Sequence, residues 1–243
     1  MTVDAAPPRC KVCGGPARVA FSLPASKQTG HPIPDLPSDC PYFECERCHF
    51  LFATLHDRAD HAALYDDSYW TGQDPDWHGR VSQTLRLVML ANRLLAADPW
   101  ALRVLDFGCG MGTFVHSARE ELGMQIWGTD IIRPRFGVEH FLETPPERGF
   151  DLVVACEVIE HLADPLGVLR RVKGWLAQGG VLAYQTAVYD RACCGRDWWY
   201  LGPANGHISL YSPEAFDHLF GALGGSERIV WNNYAGIQAW RLG

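Results

Sequence analysis

Two pairs of cysteines open the case for chemistry. Cys10 and Cys13, then Cys45 and Cys48, are CxxC pairs separated by 31 residues. Each pair lets two thiolates reach one tetrahedral ion from a tight turn, and four thiolates close the shell with no position left for substrate. The expected zinc site is therefore structural. Gly14 and Gly15 follow the first pair and permit the positive φ such a turn requires. The 31-residue spacing is wider than a compact ribbon uses, so the Pro-rich stretch between the pairs must loop out. Cys40 and His49 stand near enough in sequence to substitute as ligands. A redox pair fits poorly, because neither CxxC opens a helix after a strand. A module this small buries little core, so metal binding must supply much of its folding energy.

A second chemical signal is a glycine turn, Asp106-Phe107-Gly108-Cys109-Gly110-Met111-Gly112, fed by the apolar run Val104-Leu105. Glycines there bring backbone N–H groups close to a ligand. The spacing is GxGxG rather than the dinucleotide GxGxxG. Asp106, two positions ahead of the first glycine, would repel a pyrophosphate; it suits a ligand with an ammonium group and no phosphate. Asp130 ends Ile126-Trp127-Gly128-Thr129 and lies 24 residues after Asp106. A carboxylate at that strand tip can accept hydrogen bonds from both hydroxyls of a ribose.

These blocks, with FDLVVACEVIEHLADP at 150–165 and LAQGGVLAYQT at 176–186, resemble the class I S-adenosylmethionine-dependent methyltransferase family, over roughly residues 101–190 and more weakly beyond. The resemblance implies S-adenosyl-L-methionine as cofactor. Asp106, Gly108, Gly110 and Gly112 would cradle its amino-acid part, Asp130 would hold its ribose, and Glu157 would line the cleft after the next strand. One departure stands out. Only 20 residues separate Asp130 from Asp151, with Pro134, Pro145 and Pro146 among them. The expected helix should shrink to a turn and the third strand to a short piece over 138–141, which leaves the adenine contact unassigned.

Methyl transfer needs a positioned acceptor and, for many acceptors, a base. His161, in Glu157-Val158-Ile159-Glu160-His161, is one candidate catalytic residue, although its block favours a structural or cleft-shaping part. His207 is the other, at the end of a long aromatic, Gly-rich loop of the kind that covers substrates; an unperturbed imidazole titrates at about 6.5 and serves as a base at neutral pH. The combination of a four-cysteine module with this fold also resembles deoxysugar C-methyltransferases. His207 matches their histidine, whereas Gly206 stands where they carry glutamate, which weakens a sugar assignment. Trp198, Trp199 and Tyr200 form a candidate acceptor wall, with Tyr69 and Trp70 facing it from an aromatic loop.

The elements that must position these residues follow from periodicity. Val81, Leu85, Val88, Met89, Leu94 and Leu95 recur at helical spacing from His78 to Ala97, ahead of Pro99. Strands are expected at 102–107, 125–129, 150–155 and 181–185. Helices follow the glycine loop, run from Pro165 to Leu176, and start at Ser212-Pro213 as N-cap and N1. Two more strands, 228–231 and 236–240, close the chain. Alternating strands and helices predict an α/β fold with a Rossmann-like, mainly parallel sheet covered on both faces, ending in an antiparallel strand and preceded by the zinc-binding module. The expected division is a zinc module at 1–57, a connector with a helix at 58–100, and the cofactor-binding domain at 101–243.

Composition narrows the partners. The 243 residues carry a net charge of −7 with no basic run, which disfavours nucleic acid, since phosphate neutralisation needs clustered Lys and Arg. The first nine residues hold no apolar segment, and no window approaches the ~20 apolar residues of a membrane span. A cytoplasmic enzyme acting on a small-molecule acceptor, a nucleotide-activated sugar or a secondary metabolite, is the expectation, with all nine cysteines reduced. The alternatives are a protein or RNA methyltransferase that docks through the zinc module, a fold that has lost catalysis, and a nucleotide-sugar dehydrogenase or epimerase. The intact glycine loop argues against the second and the position of Asp106 against the third.

Overall fold

The computed structural model describes residues 8–27, 38–55, 57, 77–98, 100–232 and 236–243; the aromatic loop with Tyr69 and Trp70 lies outside them. Two sheets organise the chain. The larger is built from β4 (Val104–Phe107), β5 (Ile126–Thr129), β6 (Phe150–Cys156), β7 (Leu176–Gln185), β9 (Ser226–Asn232) and β10 (Ile237–Leu242), in the order β5-β4-β6-β7-β10-β9. The first four strands run parallel, and β10 and β9 are antiparallel. The sheet is thus mixed and mostly parallel, as expected.

The period-two alternation of a strand sorts its side chains between two layers. Val104, Leu152, Val154, Val181 and Ala183 face α1 (Trp77–Leu95) and α2 (Thr113–Glu120). Leu105, Val153, Ala155, Leu182 and Tyr184 face α3 (Pro165–Trp175) and α4 (Pro213–Gly221). Both faces are therefore covered by helices. The last two helices start as their sequences dictate. Asp164 accepts a hydrogen bond from the Gly167 N–H (3.0 Å) ahead of Pro165, and Ser212 accepts one from the Ala215 N–H (3.0 Å) ahead of Pro213. In α1 the buried face runs through Leu87, Val88 and Ala91, while Met89 points outward.

Two differences from expectation matter for the site. The short third strand at 138–141 is reduced to a 3-10 turn, Val138–His140, and one parallel bridge between Phe141 and Gly128. Twenty residues with three prolines cannot cross the sheet edge and return as a helix and a strand. The segment between the cysteine pairs is not simply a loop: β1 (Ala17–Pro24) and β2 (Asp39–Cys45) form a hairpin, and β3 (Leu51–Ala53) joins it. The fourth strand of this small sheet is β8 (Ser209–Leu210), contributed by the far end of the chain. Among the described residues no helix is long and apolar enough to cross a membrane.

Candidate active site

The glycine turn leaves β4 with Gly108, Gly110 and Gly112 all at positive φ. Space as well as conformation demands glycine at two of them. A Cβ on Gly108 would lie 2.5 Å from the Val158 side chain, and one on Gly112 would lie 2.2 Å from the Phe136 carbonyl oxygen. The first contact also joins the loops after β4 and β6, placing Val158 and its neighbour Glu157 beside the glycine turn. Gly112→Ala should destabilise the fold by about 2 kcal/mol or more, combining left-handed strain with a backbone clash. Thermal unfolding checks this, and an unchanged Tm would contradict the reading of the turn.

Asp106 and Asp130 flank the turn at the carboxyl ends of β4 and β5. Asp106 is 3% exposed, and burial, aided by the negative charge of Asp130, pushes its carboxyl up to about 7. Burial also raises Asp130, opposed by backbone N–H donors. Gly110 N–H donates to Asp130 Oδ2 (2.8 Å) and Ile132 N–H to Oδ1 (3.2 Å). With backbone donors from Gly110, Ile131 and Ile132, the carboxylate still has lone-pair capacity for a ligand hydroxyl. Thr113, at the start of α2, holds a buried hydroxyl without a protein partner, and such a group calls for a ligand or water. Two buried carboxyls, an orphan hydroxyl and a glycine cradle fit a cationic ligand bearing a ribose.

A second cluster sits after β6 and in the loop before β8. Glu157 adopts φ 55°, a left-handed conformation rare outside glycine, and its N–H donates to the Gln185 carbonyl (2.9 Å). The Tyr200 hydroxyl lies 2.6 Å from Glu160 Oε1 and 2.8 Å from Glu157 Oε2. The Thr186 hydroxyl donates to Glu160 Oε2 (3.0 Å). One phenol proton cannot serve two carboxylates, so both Tyr200 contacts are hydrogen bonds only when the two glutamates hold one proton between them. Burial and these two acids keep the Tyr200 phenol well above its ordinary range, so it remains a donor.

His207 lies over this cluster. Its Nδ1 is 2.7 Å from the Tyr200 carbonyl oxygen, which can only accept. The proton therefore sits on Nδ1, and the neutral ring carries its lone pair on Nε2. The His161 and His207 rings meet edge to face with centroids 4.9 Å apart. Glu160, His161 and His207 offer polar atoms within 4.8 Å of one another, with both Glu160 oxygens already accepting from hydroxyls. Of the expected aromatic wall, Tyr200 is buried, Trp198 packs on Tyr189 and Tyr200, and Trp199 is 71% exposed.

The four cysteines converge elsewhere. Cys10 and Cys48 sulfurs lie 3.7 Å apart, Cys13 and Cys45 sulfurs 3.4 Å apart, and all four fall within 4.8 Å of one another. The hydrogen bond from Cys48 takes the Cys10 thiol down to about 5. Of the two substitutes, Cys40 is buried apart with its thiol pushed up to about 12, and His49 faces Glu44 and Arg191.

The methyltransferase-domain family matches this chain over residues 78–224, more than half its length. The chain belongs to that family. The methyltransferase is 24% identical, over 74% of its own length and 79% of the relative's, to a ubiquinone biosynthesis O-methyltransferase of Xanthomonas axonopodis pv. citri (strain 306). It is 34% identical over 36% of its length and 49% of the relative's to aklanonic acid methyltransferase DauC of Streptomyces sp. (strain C5). Among solved structures it shares its fold with 1,6-didemethyltoxoflavin-N1-methyltransferase of Burkholderia thailandensis. The TM-score is 0.57 at 14% identity, over 88% of this chain and 99% of that one.

The methyltransferase thus gathers Asp106, Gly108, Gly110, Gly112 and Asp130 around one turn, and Glu157, His161 and His207 in the adjoining cluster. Sequence reading missed the Tyr200 hydroxyl as the link between Glu157 and Glu160, and the Thr186 hydroxyl as a second donor to Glu160. The Glu160-His161 pair in the strand-end motif was the available signal for Glu160; nothing local marks Thr186.

Proposed function

We propose that the protein is an S-adenosylmethionine-dependent methyltransferase acting on a small-molecule acceptor, with His207 as the base. The observation that carries the cofactor reading is the pair of buried carboxyls, Asp106 and Asp130, around a GxGxG turn: it favours a cation with ribose hydroxyls and disfavours a pyrophosphate. When bound, the cofactor supplies an electrophilic sulfonium methyl group. Asp106, Gly108, Gly110 and Gly112 hold its amino-acid end, Asp130 accepts from the ribose hydroxyls, and Glu157 lines the cleft beside the turn. His207 takes the acceptor proton at Nε2 while the Tyr200 carbonyl holds Nδ1–H. His161 braces the His207 ring from its edge. Relatives named for ubiquinone biosynthesis and for aklanonic acid support a small-molecule acceptor, and the net charge of −7 speaks against nucleic acid.

Cys10, Cys13, Cys45 and Cys48 hold a structural zinc in this reading, within a module spanning 1–57 that is joined through a connector at 58–100 to the catalytic domain at 101–243. The four-sulfur donor set, closed and away from the glutamate–histidine cluster, fits zinc in a structural part. The protein works in the cytoplasm, where its thiols stay reduced.

Calorimetric titration with S-adenosylmethionine and, in parallel, NAD tests the cofactor reading. Saturable binding of the first alone, lost in Asp130→Ala, is expected; binding of NAD alone would overturn it. The raised Asp106 carboxyl adds a pH signature. Its proton is bound more tightly in the folded chain, so Asp106 favours folding at low pH, and that contribution is lost as pH rises through about 7. A cationic ligand needs the ionised form. Binding at about pH 6 should release a proton and be about tenfold weaker than at about pH 8, because roughly a tenth of the sites are then competent. Asp106→Asn should remove the release.

A further inference from the structure

We propose that Tyr42 is a positioning residue for His207, through which the cysteine module sets the geometry of the acceptor side. The proposal rests on reading His207 as the base. Tyr42 lies in the middle of β2, is fully buried, and its hydroxyl donates to the His207 carbonyl (2.8 Å) across 165 residues of sequence. Burial keeps that phenol protonated well beyond its ordinary range, so it remains a donor at any working pH.

The contact is one of several that hang the base loop on the module. Ala53 N–H donates to the Ile208 carbonyl (2.9 Å), and β3 pairs with β8 through Phe52–Ser209 and Leu51–Leu210. The Ser212 hydroxyl donates to the Cys48 carbonyl (2.6 Å), tying the exit of the loop to a cysteine knuckle. On the entry side, Lys27 donates to the carbonyls of Arg196 (3.2 Å) and Trp198 (3.4 Å). The methyltransferase fold holds the loop where Ile208 N–H donates to the Glu160 carbonyl (3.0 Å), and the loop closes on itself through His207 N–H to the Gly202 carbonyl (3.1 Å). Gly206, at φ 81°, supplies the turn into His207. His207 therefore sits at the seam, its carbonyl fixed by the module and its ring by the Tyr200 carbonyl. A base displaced by about 1 Å loses much of its rate, so the Tyr42 bond is placed to matter for the ring and not for the cofactor turn.

Tyr42→Phe keeps the volume and deletes only the donor. The test uses the full zinc-loaded chain with S-adenosylhomocysteine as probe, following the histidine ring nitrogens by nuclear magnetic resonance and cofactor-site affinity by calorimetry. In the wild type the two His207 nitrogens should show well-separated shifts, one protonated and one bearing a lone pair. In Tyr42→Phe these shifts should converge as the Nδ1–H bond loosens and the tautomers mix, while affinity for the probe changes less than about twofold, since the glycine turn is untouched. Should the variant lose its fold, 3-fluorotyrosine in place of Tyr42 provides the second measurement: it keeps the ring and its volume but makes the phenol a stronger donor to the His207 carbonyl, so the two nitrogen shifts should move further apart. Unchanged nitrogen shifts after either treatment would overturn the proposal. Converged shifts with turnover intact would instead overturn His207 as the base, which keeps the two failures apart.

Discussion

His207→Gln should lower kcat by about 10²–10⁴-fold, the usual contribution of a positioned general base, with affinity for S-adenosylmethionine within about twofold of wild type. Glutamine preserves a donor and approximate size but cannot take a proton. The expectation follows from the ring geometry: with Nδ1 bonded at 2.7 Å to a backbone carbonyl, the neutral ring carries its lone pair on Nε2. At saturating S-adenosylmethionine, where Asp106 no longer limits binding, the rising limb of the pH profile of kcat should vanish in the variant. Steady-state kinetics with a turned-over acceptor reads both effects. A variant that keeps its rate and its pH profile would move the base elsewhere in the cluster, to the Glu157–Tyr200–Glu160 network, and would reduce His207 to packing.

The second large effect concerns the proposed zinc. Cys45→Ser should cost more than about 4 kcal/mol of stability, as losses of metal sites do, or roughly 8–16 °C in Tm for a chain of this size. Zinc supplies most of the folding energy of such modules, and here Cys45 and Cys48 are fully buried in the same core as Phe50, Phe52 and Phe216. Folding should fail before cofactor affinity does. Metal content and thermal unfolding check the first statement, calorimetry the second. A fully folded Cys45→Ser chain that no longer binds S-adenosylmethionine would contradict it, because nothing in the module touches the glycine turn among the contacts described.

The catalytic sheet was legible because its strands are apolar and its turns are glycine-marked. Val104–Phe107, Ile126–Thr129 and Phe150–Cys156 fall within two residues of the expected bounds. β7 starts five residues early, at Leu176 rather than Val181, since Gly179, at φ 74°, makes an irregularity inside the strand instead of ending a helix. The cysteine module was legible as four converging thiols but not as a sheet. β1 is mostly exposed along its length, so alternation is blurred, and β3 is three buried residues with no polar partner to set a period. β8, two residues long, carries no pattern at all. Its existence depends on β3, and so does the hydrogen bond of Tyr42. Contacts that span 165 residues leave no trace in local spacing.

The shared strand β8 also limits how the protein can be rearranged. The module cannot be cut away as a detachable tag, because its removal would strip Ser209 and Leu210 of their pairing partner and expose an unpaired edge beside the Glu160–His161–His207 cluster. Nor could a different module be grafted in front without rewriting the base loop to match. An exchange of acceptor preference between relatives would have to move both stretches together, so the two ends of the chain are expected to vary as one inherited unit.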